Sequence, residues 1–484
     1  MQKKSNNMKT PIVDFVRKYK QLKGIRFHMP GHKGKAVLGC EAGDITEISG
    51  ADVLYEASGI IAESEAIAAN LFGTKRTVFS TEGSSQCVRA MLELARRWWW
   101  SNQKQQGIEH FVTDSKIAIR NIPEGNDQRQ ERPIIIAARN VHKSFLYASI
   151  LLDFEIVWLW PEEEEASLCS CTASVKQVEE VLQAQKDTVA AVYITSPNYL
   201  GIEADIEGIA KVCHTNGTLL LVDNAHGAYL QFLKSSRHPM ELGADICCDS
   251  AHKTLPVLTG GAYLHISRNA PEGLDKQAKQ AMELFGSTSP SYLILQSLDL
   301  CNAYIADGYR EKLCYTILQI EDTKRQLKEH GWQVVETDPL RITIKVSPYM
   351  TGEELGNILR NYNMECEYAD KDYLVLMVTP ENKAEDLKQF VAVLKEESPS
   401  FSMKEKKIPV LKSAQKIMSV REAFFSLGEV VEVEHGIGKI CRMPTAICPP
   451  AIPIVVPGER IDEAAVKCFQ YYGIEFVDVI KSIE

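Results

Sequence analysis

The sequence holds 13 cysteines in 484 residues, yet it has no Cys-x-x-Cys pair and no regular cysteine spacing. That argues against a disulfide framework or a structural zinc site, and for a reducing compartment. No stretch is long and apolar enough to span a bilayer. Met1 to Lys20 is polar and lacks an apolar signal core, so the expected location is the cytoplasm. Positive charge is not in excess, since 54 Lys and Arg face 64 Asp and Glu for a formal net charge of -10. This balance argues against nucleic acid or an anionic membrane as the main partner and suits, weakly, a cationic small molecule. The nucleotide-loop pattern Gly-x-x-x-x-Gly-Lys-Ser/Thr is missing, so Asp223-Asn224-Ala225-His226 is not read as a helicase-type acid box. His28 and His32 sit four apart, but Pro30 and Gly31 between them forbid a regular helix. Their rings therefore do not share a face, and no metal site is expected.

What is present is an ordinary globular composition, 45% hydrophobic and 24% charged, on a chain long enough for more than one domain. Two stretches stand out. Leu219-Leu220-Leu221-Val222 is an unbroken aliphatic run, the pattern of a parallel strand buried on both faces, and Asp223 sits where it ends. Ligands of open α/β sheets bind outside the carboxyl ends of the strands, so Asp223 is placed to meet one. The second stretch runs from Ala244 through Asp249-Ser250-Ala251-His252-Lys253-Thr254-Leu255-Pro256, with another apolar run from Gly261 to Ile266. A lysine held between two buried strands loses hydration, which disfavours its ammonium form and frees the amine to attack a carbonyl. Taken alone, Lys253 reads equally as a loop lysine pointing into water. An acid followed one strand later by a lysine, however, supplies the two contacts that pyridoxal phosphate needs: an amine for its carbonyl and a carboxylate for its ring nitrogen.

Around these stretches the chain alternates. Residues 1–75 read as an N-terminal arm of short helices and loops, with Ser64 to Phe72 an amphipathic helix. Gly83-Ser84-Ser85 leads into a helix expected from Gln86 to Arg97. Such a turn offers free N–H groups, hydroxyls and the positive end of the helix dipole, though a plain N-cap has the same appearance. From Trp98-Trp99-Trp100 to Arg132 a polar, poorly periodic stretch reads as a surface excursion, with the tryptophans at a helix end packed under it. Strands at Pro133–Ala138 and Ala190–Thr195 alternate with helices at Val175–Gln185 and Ile206–His214, a doubly wound pattern with right-handed crossovers. Glu162 to Glu165 reads as a solvated charge run. Arg341–Val346, Gly352–Arg360, Tyr373–Val378 and Ala384–Lys395 read as strand, helix, strand, helix, and Glu396 to Lys407 as a linker.

The motifs resemble those of the pyridoxal-phosphate-dependent ornithine/lysine/arginine decarboxylases, in their short Gram-positive form. The resemblance runs through His28-Met29-Pro30-Gly31-His32-Lys33-Gly34, Arg139-Asn140-Val141-His142-Lys143-Ser144, Thr195-Ser196-Pro197, Asp223 to Gly227, His252 to Pro256, Ser287 to Tyr292, Pro449 to Pro453 and Pro457-Gly458-Glu459. It implies an aspartate-aminotransferase-like α/β fold, a doubly wound, mostly parallel sheet. Its expected divisions are an arm (1–75), a large cofactor-binding domain (76–300), a small α+β domain (301–396) and a C-terminal decarboxylase-type domain (408–484). It implies decarboxylation of a basic amino acid, arginine or lysine before ornithine, of the kind met in polyamine metabolism. Lys253 then carries the cofactor, Asp223 meets its ring nitrogen, and His142 and Ala225 cover the ring faces, with His142 also able to hand over a proton. Ser84, Ser85, Ser250 and His252 hold the phosphate, joined by Thr288 from the neighbouring subunit of a homodimer or a higher even-numbered assembly. The loop at Phe27 to Lys35 is implied to lie near the site. The sequence departs from the family at Glu82 (usually Asn), Asn224 (usually Glu), Tyr229 (usually His) and the Gly260-Gly261 pair. Glu82 is expected to point away from the phosphate. The rival readings are transamination or other chemistry at Cα with the same cofactor, and an inactive paralogue acting as a binding or regulatory partner.

Overall fold

Strands that are apolar at every position need cover on both faces, and the central sheet of this chain has it. The structure, a computed structural model, describes residues 8–107, 132–161, 171–185, 189–347, 349–397, 409, 413–447 and 452–481. Most of the expected excursion, Glu162 to Glu165, most of the linker candidate and Pro449 to Ala451 lie outside the described residues. The arm contributes α1 (Pro11–Gln21) and α2 (Ile60–Phe72). There follow β1 (Arg76–Ser80), α3 (Gly83–Gly107), β2 (Ile134–Ala138), α4 (Lys143–Leu152), β3 (Glu155–Leu159), α5 (Val175–Ala184), β4 (Val189–Thr195), α6 (Ile206–Thr215), β5 (Leu219–Asp223), β6 (Ile246–Asp249), α7 (Ala251–Thr254), β7 (Ala262–Ile266) and α8 (Leu274–Glu283). Seven strands form one sheet in the order β1-β7-β6-β5-β4-β2-β3. The pairs are parallel except those of β7, which runs antiparallel to both β1 and β6.

Side chains alternate across this sheet. Ala191, Tyr193, Leu219 and Leu221 pack with residues of α2, α3 and α4, while Val192, Ile194, Leu220 and Val222 pack with residues of α5 and α6. Both faces are therefore buried, which is why β5 reads as a continuous aliphatic run rather than an alternating one. One expectation is corrected: α3 does not stop at Arg97 but carries the three tryptophans to Gly107. No proline or glycine interrupts Gln86 to Gln106, so nothing ends the helix earlier. Trp99 is buried, and Trp98 and Trp100 pack against the main core.

Beyond α9 (Tyr292–Ala306) and α10 (Tyr309–Glu329) lies a second unit: β8 (Gln333–Val335), β9 (Arg341–Lys345), α11 (Gly352–Asn361), β10 (Tyr368–Ala369), β11 (Tyr373–Met377) and α12 (Ala384–Glu396). Its four strands pair antiparallel in the order β10-β11-β9-β8. The C-terminal elements are α13 (Val420–Phe425), β12 (Gly428–Glu432), β13 (Thr445–Ile447), β14 (Ile452–Val455), α14 (Glu463–Tyr471) and β15 (Phe476–Ile480). They share a core with Leu200, Tyr368 and Val375, so this unit packs against both preceding ones. A buried ion pair is among the contacts that tie it to the large sheet: Arg139, just past β2, meets Glu459 at 3.0 Å, both side chains nearly fully buried. The guanidinium also lies over the rings of Trp158 and Trp160, and Nη2 donates to Ile454 O. No described helix is long and apolar enough to cross a membrane.

Candidate active site

Five parallel strands of the central sheet end at one cavity of about 340 Å³. From the end of β1 come Glu82, Gly83, Ser84 and Ser85; from β2, Asn140 and His142; from β4, Thr195, Pro197 and Tyr199. Asp223, Ala225 and His226 follow β5, and Ser250, His252 and Lys253 follow β6. The carboxyl edge of the sheet is where the strand-end rule places a ligand. Eight of the nine residues expected at the site meet here: Ser84, Ser85, His142, Asp223, Ala225, Ser250, His252 and Lys253.

Lys253 sits in the four-residue helix α7. Burial depresses its amine below the usual lysine range, with Asp223 and Glu367 opposing and Arg341 reinforcing. Asp223 is 3% exposed and held from three sides. Tyr193 OH donates to Oδ2 at 2.9 Å, while Ala225 N–H and Cys248 Sγ approach Oδ1 at 3.2 and 3.6 Å. Burial, together with the negative charge of Asp223, drives the Tyr193 phenol well above its ordinary value. It therefore stays protonated and keeps donating, which fixes the carboxylate in place.

The turn that opens α3 has features that suit an anion. Gly83 has φ +70° and open space where a Cβ would stand, and the first N–H groups of a helix have no carbonyl ahead of them. Ser250 Oγ donates to Ser84 Oγ at 2.8 Å, bringing the β6 loop to the same turn. His252 Nδ1 lies 2.9 Å from Gly261 O. A carbonyl only accepts, so Nδ1 carries the proton, and burial lowers the ring's pKa. His142 caps α4, its Nδ1 accepting from Ser144 N–H. That ring is also shifted down by burial, against the pull of Asp223. In its neutral form the His142 proton therefore rests on Nε2.

The departures find local partners. Glu82 is among the residues lining the cavity, and its carboxylate accepts from Ser287 N–H. Asn224 Nδ2 donates to Asp249 Oδ1 at 2.7 Å, and Tyr229 OH donates to Asp338. Gly260 has φ +98°, and a Cβ there would fall 2.9 Å from Thr81 O, so a side chain would have to displace that carbonyl.

Thr288 is exposed and is not among the lining residues of its own chain. The loop at Phe27 to Lys35 does not line the cavity either. Its histidines are engaged separately, His28 by Tyr19 OH at 2.6 Å and His32 by Asp44 at 3.2 Å. One cluster of metal-ligand type exists among the described residues, His238, Asp249 and His265. Both Nε2 atoms lie 3.0–3.1 Å from the same Asp249 oxygen, the spacing of hydrogen bonds rather than of coordination.

The sequence assigns His226 no role, and it places Arg341 in a strand, as β9 does, without a role at the site. In the structure His226 Nε2 lies 2.5 Å from Lys253 Nζ, and Arg341 contacts the other ring nitrogen. His226 lies within the motif that includes Asp223, so a local signal existed. Arg341 comes 115 residues later, and no sequence neighbour points to it.

The donor set, an amine, a rigid buried carboxylate and a hydroxyl-rich helix N-terminus, fits a ring bearing a carbonyl, a basic nitrogen and a phosphate. The sequence model of the family described as Orn/Lys/Arg decarboxylase, major domain, matches residues 125–389, more than half of the chain. An uncharacterized protein of Bacillus subtilis is 28% identical over 490 residues, covering 95% of this chain and 93% of its own length. The arginine decarboxylase of Halalkalibacterium halodurans is 28% identical over 95% of this chain and 92% of its own. The solved lysine decarboxylase of Francisella novicida superposes with a TM-score of 0.76 at 16% identity, over 99% of this chain and 82% of its own.

Proposed function

The chain belongs to the Orn/Lys/Arg decarboxylase family, and from that premise we propose that it removes the α-carboxyl group of a basic amino acid. The products are the corresponding amine and carbon dioxide, with arginine or lysine as substrate ahead of ornithine. One observation carries the reading: a desolvated lysine amine shares a cavity with a buried carboxylate and an anion-binding helix start. Pyridoxal phosphate is the cofactor whose groups match that set. When bound, it supplies a ring that accepts the electron pair left as the carboxylate departs. Lys253 would hold it covalently, Asp223 its ring nitrogen, and Ser84, Ser85, Ser250 and His252 its phosphate. Ala225 and His142 would border the ring. Tyr193 keeps Asp223 oriented, and His142 offers its Nε2 proton at the cavity wall.

The assembly that suits this reading is a homodimer in which Thr288 of one chain reaches the phosphate site of the other. Its support is the arm, where Leu22, Ile25, Phe27, Val37 and Leu38 are each at least 76% exposed. So dense an apolar stretch favours cover by a second copy. The direct test incubates purified protein and pyridoxal phosphate separately with arginine, lysine and ornithine. Amine and carbon dioxide are expected from one of them. A keto acid in place of the amine would replace decarboxylation with transamination.

A further inference from the structure

A file of buried side chains runs from beside β9 to the cavity lysine. Tyr229 OH donates to Asp338 Oδ1, and Asp338 Oδ2 pairs with Arg341 Nη1. Arg341 Nη2 meets His226 Nδ1, and His226 Nε2 lies 2.5 Å from Lys253 Nζ. Arg341 and Tyr229 are fully buried, and the file is tightly fitted. A Cβ on Gly201, φ +94°, would fall 2.8 Å from Arg341 Cδ and 2.9 Å from Asp338 Oδ2.

Counting protons along this file fixes its direction. A guanidinium has five N–H donors, no acceptor, and keeps its proton in proteins. His226 Nδ1 therefore faces a donor and must present its lone pair. A ring with a bare Nδ1 is neutral and carries its proton on Nε2. That proton is aimed at Lys253 Nζ, which must accept it, and an ammonium has no lone pair with which to do so.

We propose that Arg341 fixes the tautomer of His226, and that His226 so fixed holds the Lys253 amine unprotonated and ready for the cofactor. Both are positioning residues for attachment, in which the amine lone pair bonds the cofactor's carbonyl carbon and the oxygen leaves as water with the two amine protons. The inference rests on Lys253 being the cofactor lysine. Burial acts in the same direction on both groups. It depresses the amine of Lys253, and it depresses His226 further, with Lys253, Arg341, His142 and His252 adding to the effect. Asp223 and Glu367 oppose it at Lys253. Tyr199 packs edge-on to the His226 ring at 5.2 Å and donates to Glu367 at 3.1 Å.

The test has two readouts on cofactor-free protein. In ¹⁵N-histidine-labelled wild type, the His226 signal, assigned by its loss in His226→Asn, should report a neutral ring protonated at Nε2. A ring protonated at Nδ1, or an imidazolium, would overturn the proposal. The second readout is the pH dependence of the rate at which added pyridoxal phosphate is captured, followed by absorbance. In Arg341→Met the midpoint should rise by about one pH unit, since the ring is then free to accept from the lysine. Arg341→Lys, again a donor without an acceptor, should restore most of the shift. A folded Arg341→Met with an unmoved midpoint sinks the idea, because a merely structural role would lower the number of competent sites and leave the midpoint alone. Borohydride separates the two failures. A label fixed on another lysine defeats the site reading itself, whereas a label on Lys253 with the wrong tautomer defeats only this inference.

Discussion

Glu203 shows how far burial can override an ion pair. Arg237 lies 3.0 Å away, yet burial, with some help from Asp338, raises the carboxyl from 4.5 to about 7. The native chain then binds more protons at this group than the unfolded chain between those two values. Its stability contribution is complete below about pH 4.5 and is lost as pH rises through 7. Glu203→Gln should therefore gain on the order of 1–3 kcal/mol over wild type at about pH 8 and nothing at about pH 4, as read by denaturant unfolding. At the cavity, Asp223→Asn should leave cofactor capture measurable while lowering turnover at least roughly a hundredfold, a loss in the chemical step rather than in KM. Unchanged turnover would remove Asp223 from the ring nitrogen. Asp223 and Lys253 were legible in the sequence because each ends an apolar run, and a strand end is a local pattern. Arg341 was not, because a charged residue opening a short strand is ordinary until the fold brings it to His226.

Among the elements, the junction of β1, α3 and β7 makes the turn proposed to hold the phosphate, and it hangs on one residue without a side chain. Gly260 O accepts from Gly83 N–H at 2.7 Å, while a Cβ on Gly260 would fall 2.9 Å from Thr81 O. Gly260→Ala must shift that carbonyl and hold alanine at a left-handed φ, together costing about 1–3 kcal/mol. The expected result is weaker pyridoxal phosphate binding in a titration, beyond any change in the unfolding midpoint. Cofactor affinity equal to wild type would show that the turn tolerates the movement. From sequence, Gly260-Gly261 read only as a departure from the family, since backbone approach between segments far apart in the chain leaves no trace in either segment. The alternation of strands and helices was readable, because burial on both faces writes itself into composition. The end of α3 was misjudged because tryptophans mark packing and do not stop a helix.

For the whole molecule, the proposed shared site predicts complementation between two defective chains. Lys253→Ala and a variant disrupted at Thr288 should each be poorly active alone. Mixed as heterodimers they should recover activity, since one of the two sites then has both an intact lysine and an intact partner loop. If heterodimers form, Thr288 variants are impaired and no activity returns, the loop serves its own subunit. No single-chain pattern could have settled this, because the partner is the same sequence. The Arg139–Glu459 pair adds a consequence in time. Its two residues are 320 positions apart, so at about 5–20 residues per second the ribosome finishes Glu459 roughly 15–60 s after Arg139. Until then a guanidinium meant for burial beside the His142 wall has no carboxylate to meet. The tie between the large sheet and the C-terminal elements is thus a late product of synthesis, closed only after the lysine and the acid of the cavity have both been made.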